Sequence, residues 1–154
     1  MKSKQITDIL RKDNWTIAEG THEGKPLMVR FRQEFRSVTD FHGYPLLLQI
    51  TWPYASTDKN GLPGDADTDA MERFEERILA AYERDCHAVL TAVITTNGTR
   101  QWIFYTSDID TCGQRLAEMP QESEPYPVEL TADEDPDWRF LRENVLAGCD
   151  DGVV

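Results

Sequence analysis

An Asn-Gly pair set between two β-rich runs constrains this chain more than any other feature of its sequence. In His87 to Asp108, HAVLTAVITTNGTRQWIFYTSD, the pair Asn97-Gly98 marks a tight hairpin turn. Both central residues of such a turn need φ > 0, which Asn and Gly tolerate best. The first run is expected to place Ala88, Leu90, Ala92 and Ile94 on one side, and the second either Trp102 and Phe104 or Ile103 and Tyr105 inward. The second strand is apolar on both faces, and such a strand is usually central and covered on each side. The hairpin is therefore expected in the middle of the fold.

The elements around it follow from local pattern. Residues 1 to 12 read as a short polar helix or arm, with Ile6, Ile9 and Leu10 able to dock on the body. Trp15 to Glu19 and Leu27 to Gln33 form an N-terminal hairpin about the turn Glu23-Gly24-Lys25-Pro26, with Met28, Arg30 and Arg32 on a wet face. Tyr44 to Trp52 is a third strand, and Pro53 to Asp67 is loop. Met71, Phe74, Ile78 and Tyr82 recur at helical spacing from about Thr68, capped by Asp67, Thr68 or Asp69. After the central hairpin, Asp108 caps a shorter helix to Met119 with Ile109, Cys112, Leu116 and Met119 inward. Tyr126 to Thr131 reads as the last strand. Asp135-Pro136-Asp137-Trp138 then opens a terminal helix, with Trp138, Leu141 and Val145 as its inward stripe.

From Tyr44 onward the order strand, helix, strand, strand, helix, strand is the ferredoxin-like split β-α-β pattern. The expected fold is α+β: a mainly antiparallel sheet with helices on one face, an added N-terminal β-hairpin and a C-terminal helix. One domain over residues 1–154 is expected, divided into the hairpin (13–35), the ferredoxin-like core (44–131) and the helix (135–147).

Charge narrows the function classes. The net charge is −12, and between Ala117 and Val154 eleven acids face only Arg139 and Arg142, which gives that segment −9. Such a field repels nucleic acid and anionic membranes and speeds encounter with a basic partner. No segment has the apolar length of a membrane span, and the first residues lack the apolar core of a signal peptide. Cys86, Cys112 and Cys149 are odd in number and widely spaced, as reduced structural thiols are. A cytoplasmic protein is the expectation.

The chemistry-bearing residues converge on no reaction. Asp65, Asp67, Asp69 and Glu76 have the spacing of a calcium loop, but Ala70 stands where the turn needs Gly, and a continuous helix would carry Glu76 away from the aspartates. A helix start with dipole-matching acids is the better reading. His22, His42 and His87 have no second ligand at i+3 or i+4, and Cys86 beside His87 would point to the opposite face of a regular strand. No phosphate loop, dinucleotide fingerprint, nucleophile elbow or zinc-protease motif is present. No catalytic, cofactor or metal residues are assigned.

Three separated motifs carry a family resemblance: Arg100-Gln101-Trp102-Ile103-Phe104-Tyr105, Asn60-Gly61-Leu62-Pro63 and Asp135-Pro136-Asp137-Trp138. Over about Trp15 to Asn144 the chain resembles the Domain of Unknown Function 695 family, which is mostly bacterial. That family is similar in architecture to the acidic bacterial regulator of ribonuclease E activity, an inhibitor protein. The resemblance implies the α+β fold and, by analogy, an inhibitory, protein-binding role.

The leading expectation is a non-enzymatic module of inhibitor or immunity type that binds a basic protein such as a nuclease or toxin domain. Its partner-binding residues are Glu118, Glu122, Glu124, Asp133, Glu134 and Asp137. The alternative is a small-molecule-binding or enzymatic domain with a pocket near the 53–67 loop, using Trp52, Tyr54 and His42. A third is self-assembly through a strand edge, which Arg30 and Arg32 would guard against as edge charges.

Overall fold

The computed structural model describes residues 2–54 and 61–147. Six strands, β1 (Thr16–His22), β2 (Lys25–Phe31), β3 (Leu46–Pro53), β4 (Ala88–Thr96), β5 (Thr99–Thr106) and β6 (Glu129–Glu134), form one antiparallel sheet in the order β1-β2-β4-β5-β3-β6. The last four positions are the ferredoxin-like interleaving, and the β1–β2 hairpin extends the sheet on the β4 side. Asn97 (φ 45°) and Gly98 (φ 91°) make the expected turn, pairing Thr96 with Thr99.

Two cores share this sheet. On one face α2 (Asp65–Glu83) and α3 (Ile109–Glu118) bury Met71, Phe74, Ile78, Tyr82 and Cys112 against Leu48, Ile50, Trp52, Leu90, Trp102 and Phe104. On the other, α1 (Lys4–Lys12), a 3-10 turn (Gln33–Ser37) and the C-terminal segment cover Val29, Phe31, Leu47, Val89, Ile103 and Tyr105. The α+β class and antiparallel sheet are as expected. The one-face arrangement holds for the ferredoxin-like pair α2 and α3, while the terminal segments cover the opposite face.

Four local expectations are corrected. A bulge at Leu90/Ala92 interrupts β4, so Ala88 and Leu90 face α2 and α3 whereas Ala92 and Ile94 face the other core. One extra residue inverts the alternation beyond it. Secondly, α2 starts at Asp65 with Gly64 as cap rather than near Thr68, and it runs unbroken past Glu76 to Glu83. Thirdly, β6 begins at Glu129, because Tyr126 packs its ring against Phe74 at 5.0 Å and donates its hydroxyl to the Pro120 carbonyl at 2.6 Å. Lastly, the C-terminal helix starts at Arg139 rather than Asp135: α4 (Arg139–Leu141) passes into a π-helical turn (Arg142–Leu146).

Pro136 lies in the turn ahead of α4, and Asp135 caps from there. Its carboxylate accepts the Arg139 and Phe140 amides at 2.8 and 3.0 Å, and it also accepts the Tyr105 hydroxyl at 2.7 Å. Trp138, with φ 55°, sends its indole N–H to the Tyr44 carbonyl at 2.8 Å and is fully buried.

Candidate functional site

The six acidic residues expected to bind a partner are all exposed. Glu118 ends α3 and accepts the Gln114 amide at 3.2 Å, and Glu124 lies in the connector that follows. Glu122 is tied to Arg77 and Arg73 of α2, and the Arg77 guanidinium beside it holds its carboxyl below the usual glutamate range. Asp133 and Glu134 belong to β6, and Asp137 to the turn after it. These elements hold the acids in two sets, one beside α2 and α3 and one along the sheet edge.

β6 is that edge, and all six of its residues are exposed. Among the described residues it pairs only with β3, so its outer row of backbone donors and acceptors has none of their strands beside it. Glu129, Asp133 and Glu134 line this edge, and Leu130, one of the few exposed large apolar side chains, sits among them.

A second polar constellation lies between the β1–β2 hairpin and α2. Arg32 is expected as an edge charge, yet β2 is an inner strand with β1 outside it, and Arg32 is 2% exposed. The main chain places it: the bulge turns the Thr91 carbonyl toward the Arg32 amide at 3.1 Å and leaves the Leu90 carbonyl for Nη1 at 2.8 Å. Glu83, the last residue of α2, accepts Nη1 at 2.8 Å and also the Leu90 amide at 2.8 Å. Asp13, in the left-handed conformation that ends α1, accepts Nη2 at 2.7 Å and the Trp15 indole N–H at 2.8 Å. Burial opposes the Arg32 charge, but Glu83 and Asp13 more than offset it and raise its pKa; the Arg32 hydrogen bond in turn holds the Asp13 carboxyl below the usual range.

The Trp15 ring continues the row. The guanidinium carbons of Arg32 and Arg30 lie 4.5 and 4.8 Å from its centroid. Arg30 pairs with Glu75 of α2, which also accepts the Trp102 indole N–H at 2.8 Å. Cavities flank this row on either side: one of about 700 Å³ toward α1, near Asp13 and Arg84, and one of about 380 Å³ toward Arg100, Ile17 and Met28.

The other expected groups lie elsewhere. Trp52 and Tyr54 are buried in the α2 core, with the Tyr54 hydroxyl donated to the Gly61 carbonyl, and the His42 carbonyl accepts the Ser3 amide at the start of α1. None of the three lines either cavity beside the Trp15 row, and residues 55–60 of the 53–67 loop lie outside the described residues. Cys86 sits in the turn before β4 with φ 58° rather than in a strand, and Cys149 lies outside the described residues. Asp65, Asp67 and Asp69 occupy the first turns of α2; among the described residues no group of three or more potential metal ligands converges. Among them, too, no helix is long and apolar enough to cross a membrane. The signal that sequence reading missed is Arg30 and Arg32 at alternate positions of a strand that also follows a tryptophan; both look solvated until α2 is laid across them.

The model of the Family of unknown function (DUF695) matches residues 13–145, most of the chain. No curated protein and no solved structure matches it.

Proposed function

We propose that this chain, which belongs to the DUF695 family of unknown function, is a non-enzymatic acidic module that binds a basic protein, such as a nuclease or toxin domain, along the β6 edge. The observation that carries the reading is β6 itself: an edge strand with every residue exposed, an open backbone row, and three acids beside Leu130. An open edge is a template for a further strand. Acids along it repel a second copy of the same edge and attract a strand rich in Lys and Arg, which selects the partner by charge. Glu118, Glu124 and Asp137 extend the field that steers the encounter, whereas Glu122 already shares its charge with Arg77 and Arg73. The same reading puts the protein in a bacterial cytoplasm, where thiols such as Cys86 and Cys112 stay reduced.

The test is capture from native cell lysate at low and then raised ionic strength, with wild type beside a variant carrying Glu129→Lys, Asp133→Lys and Glu134→Lys. The expected result is a basic protein retained by wild type, released by salt and not retained by the variant. Retention that neither salt nor charge reversal alters rules out the electrostatic edge.

A further inference from the structure

We propose that the cavity of about 380 Å³ between the β1–β2 hairpin and α2 binds a small zwitterion of the α-amino-acid class, its carboxylate on Arg100 and its ammonium beside Glu72 and Glu76. The site is independent of the β6 edge.

Arg100 distinguishes this cavity. Arg30, Arg32, Arg77 and Arg115 each lie against a carboxylate. Arg100 is half-buried, and its Nε donates to Thr95 Oγ1 at 2.8 Å, but its two Nη groups bond to nothing among the described residues. Desolvation lowers its pKa, while the nearby charges of Glu75 and Glu72 support the cation without touching it. A partly desolvated guanidinium with a free fork is a ready receptor for a planar carboxylate.

The opposite wall has the complementary charge. Glu72 and Glu76 are exposed on α2, line the same cavity, and form no ion pair among the described residues. Glu75 between them is occupied by Arg30 and Trp102 and takes no part. Once that pair is set aside, the cavity offers one positive and two negative groups, which suits a ligand carrying both signs.

The same cavity also has an apolar part. Ile17 is 64% and Met28 39% exposed, and both line this cavity. Large apolar side chains left in water at the mouth of a charged cavity give a bound side chain something to cover. The volume falls in the range of small-molecule sites.

The experiment is calorimetric titration of the full chain with three probes: L-norleucine, hexanoate and hexylamine. Norleucine is expected to bind with saturation and more tightly than either single-charge probe. Arg100→Gln is expected to weaken norleucine and hexanoate by about tenfold or more, as loss of a charge-assisted hydrogen bond does. The double variant Glu72→Gln/Glu76→Gln, changed only at exposed helix positions, is expected to weaken norleucine and hexylamine and to leave hexanoate as it was. Thermal unfolding of each variant establishes that it is folded, and the helix variant decides the matter alone if Arg100→Gln is not. Absence of saturable norleucine binding overturns the proposal, as does hexanoate binding as tightly as norleucine, or affinity for norleucine that the helix variant leaves unchanged.

Discussion

The Tyr105 ring lies flat on the Trp138 indole, with centroids 4.2 Å apart and planes 13° from parallel, while its hydroxyl donates to the Asp135 carboxylate three residues upstream of that tryptophan. One side chain of the central strand thus holds both ends of the Asp135 to Trp138 turn. Phe41 stacks on Trp138 from a 5.0 Å centroid distance, and Phe35 meets it edge-on at 5.3 Å. The C-terminal segment is fastened to the sheet by this cage.

Tyr105→Phe removes the hydroxyl and leaves the buried Asp135 one donor short. The expected loss is about 1–2 kcal/mol, read from the denaturant midpoint. Trp138→Ala opens a cavity at the centre of the cage and is expected to cost about 3–5 kcal/mol. Equal effects of the two would show that ring packing contributes little beyond the hydroxyl.

Arg32→Leu leaves Glu83, only 15% exposed, without its charge partner, and breaking such a buried pair costs about 3–5 kcal/mol. The double variant Arg32→Leu/Glu83→Leu removes both charges and is expected to recover a large part of that loss. A double variant no more stable than the single one would place the energy in the hydrogen bonds to the Leu90 amide and carbonyl instead.

Gly61 has φ +81°, and a Cβ there would stand 2.9 Å from the Asn97 Cα. Its carbonyl also accepts the Gly98 amide at 3.0 Å, so Gly61 docks on the central turn through its backbone. Gly61→Ala is expected to destabilise the protein by about 1–3 kcal/mol through backbone strain and contact. A thermal midpoint equal to wild type would mean that the contact between Gly61 and Asn97 can open at no cost.

Acid is expected to loosen the fold through Asp85 and Asp13. Arg115 grips Asp85 with two hydrogen bonds of 2.8 Å, and Arg32 grips Asp13; both carboxyls are held below their ordinary pKa. A carboxyl depressed by folding adds stability at pH values above its unfolded pKa, near 3.9, and that stability is lost as pH falls through the folded value. Urea midpoints are therefore expected to be level from neutral pH down to about pH 5 and to fall below about pH 4. Arg115→Gln is expected to flatten that fall; an unchanged slope would remove Asp85 from the explanation.

The central hairpin was legible because Asn97-Gly98 is a turn with a mechanism, and Trp102 to Tyr105 is apolar on both faces. The helical stripe Met71, Phe74, Ile78 and Tyr82 was legible from its spacing, and all four are fully buried. The bulge was not, since Thr91 is an ordinary strand residue, and its carbonyl meets the amide of Arg32, just after β2, only in the assembled sheet. Tyr126 has strand propensity, but its ring packs on Trp52 and Phe74 and the residue stays outside the ladder. The acids are plain in the sequence, and their division between the α2 flank and the β6 edge follows only from the topology. Arg100 opens one of the three motifs, yet nothing in the sequence says that it stays without a carboxylate. Its importance lies in the carboxylate it lacks, which only the packed arrangement reveals.

The strand order has a consequence for synthesis on the ribosome. Leu48 of β3 pairs with Phe104 on one side and Ala132 on the other, so β3 emerges well before either neighbour exists. Its apolar residues and both backbone edges wait in the nascent chain until β5, and then β6, are translated. That interval, rather than the finished fold, is when this protein is most exposed to misassociation, and emergence of β6 ends it by delivering an acidic strand to the open edge of β3.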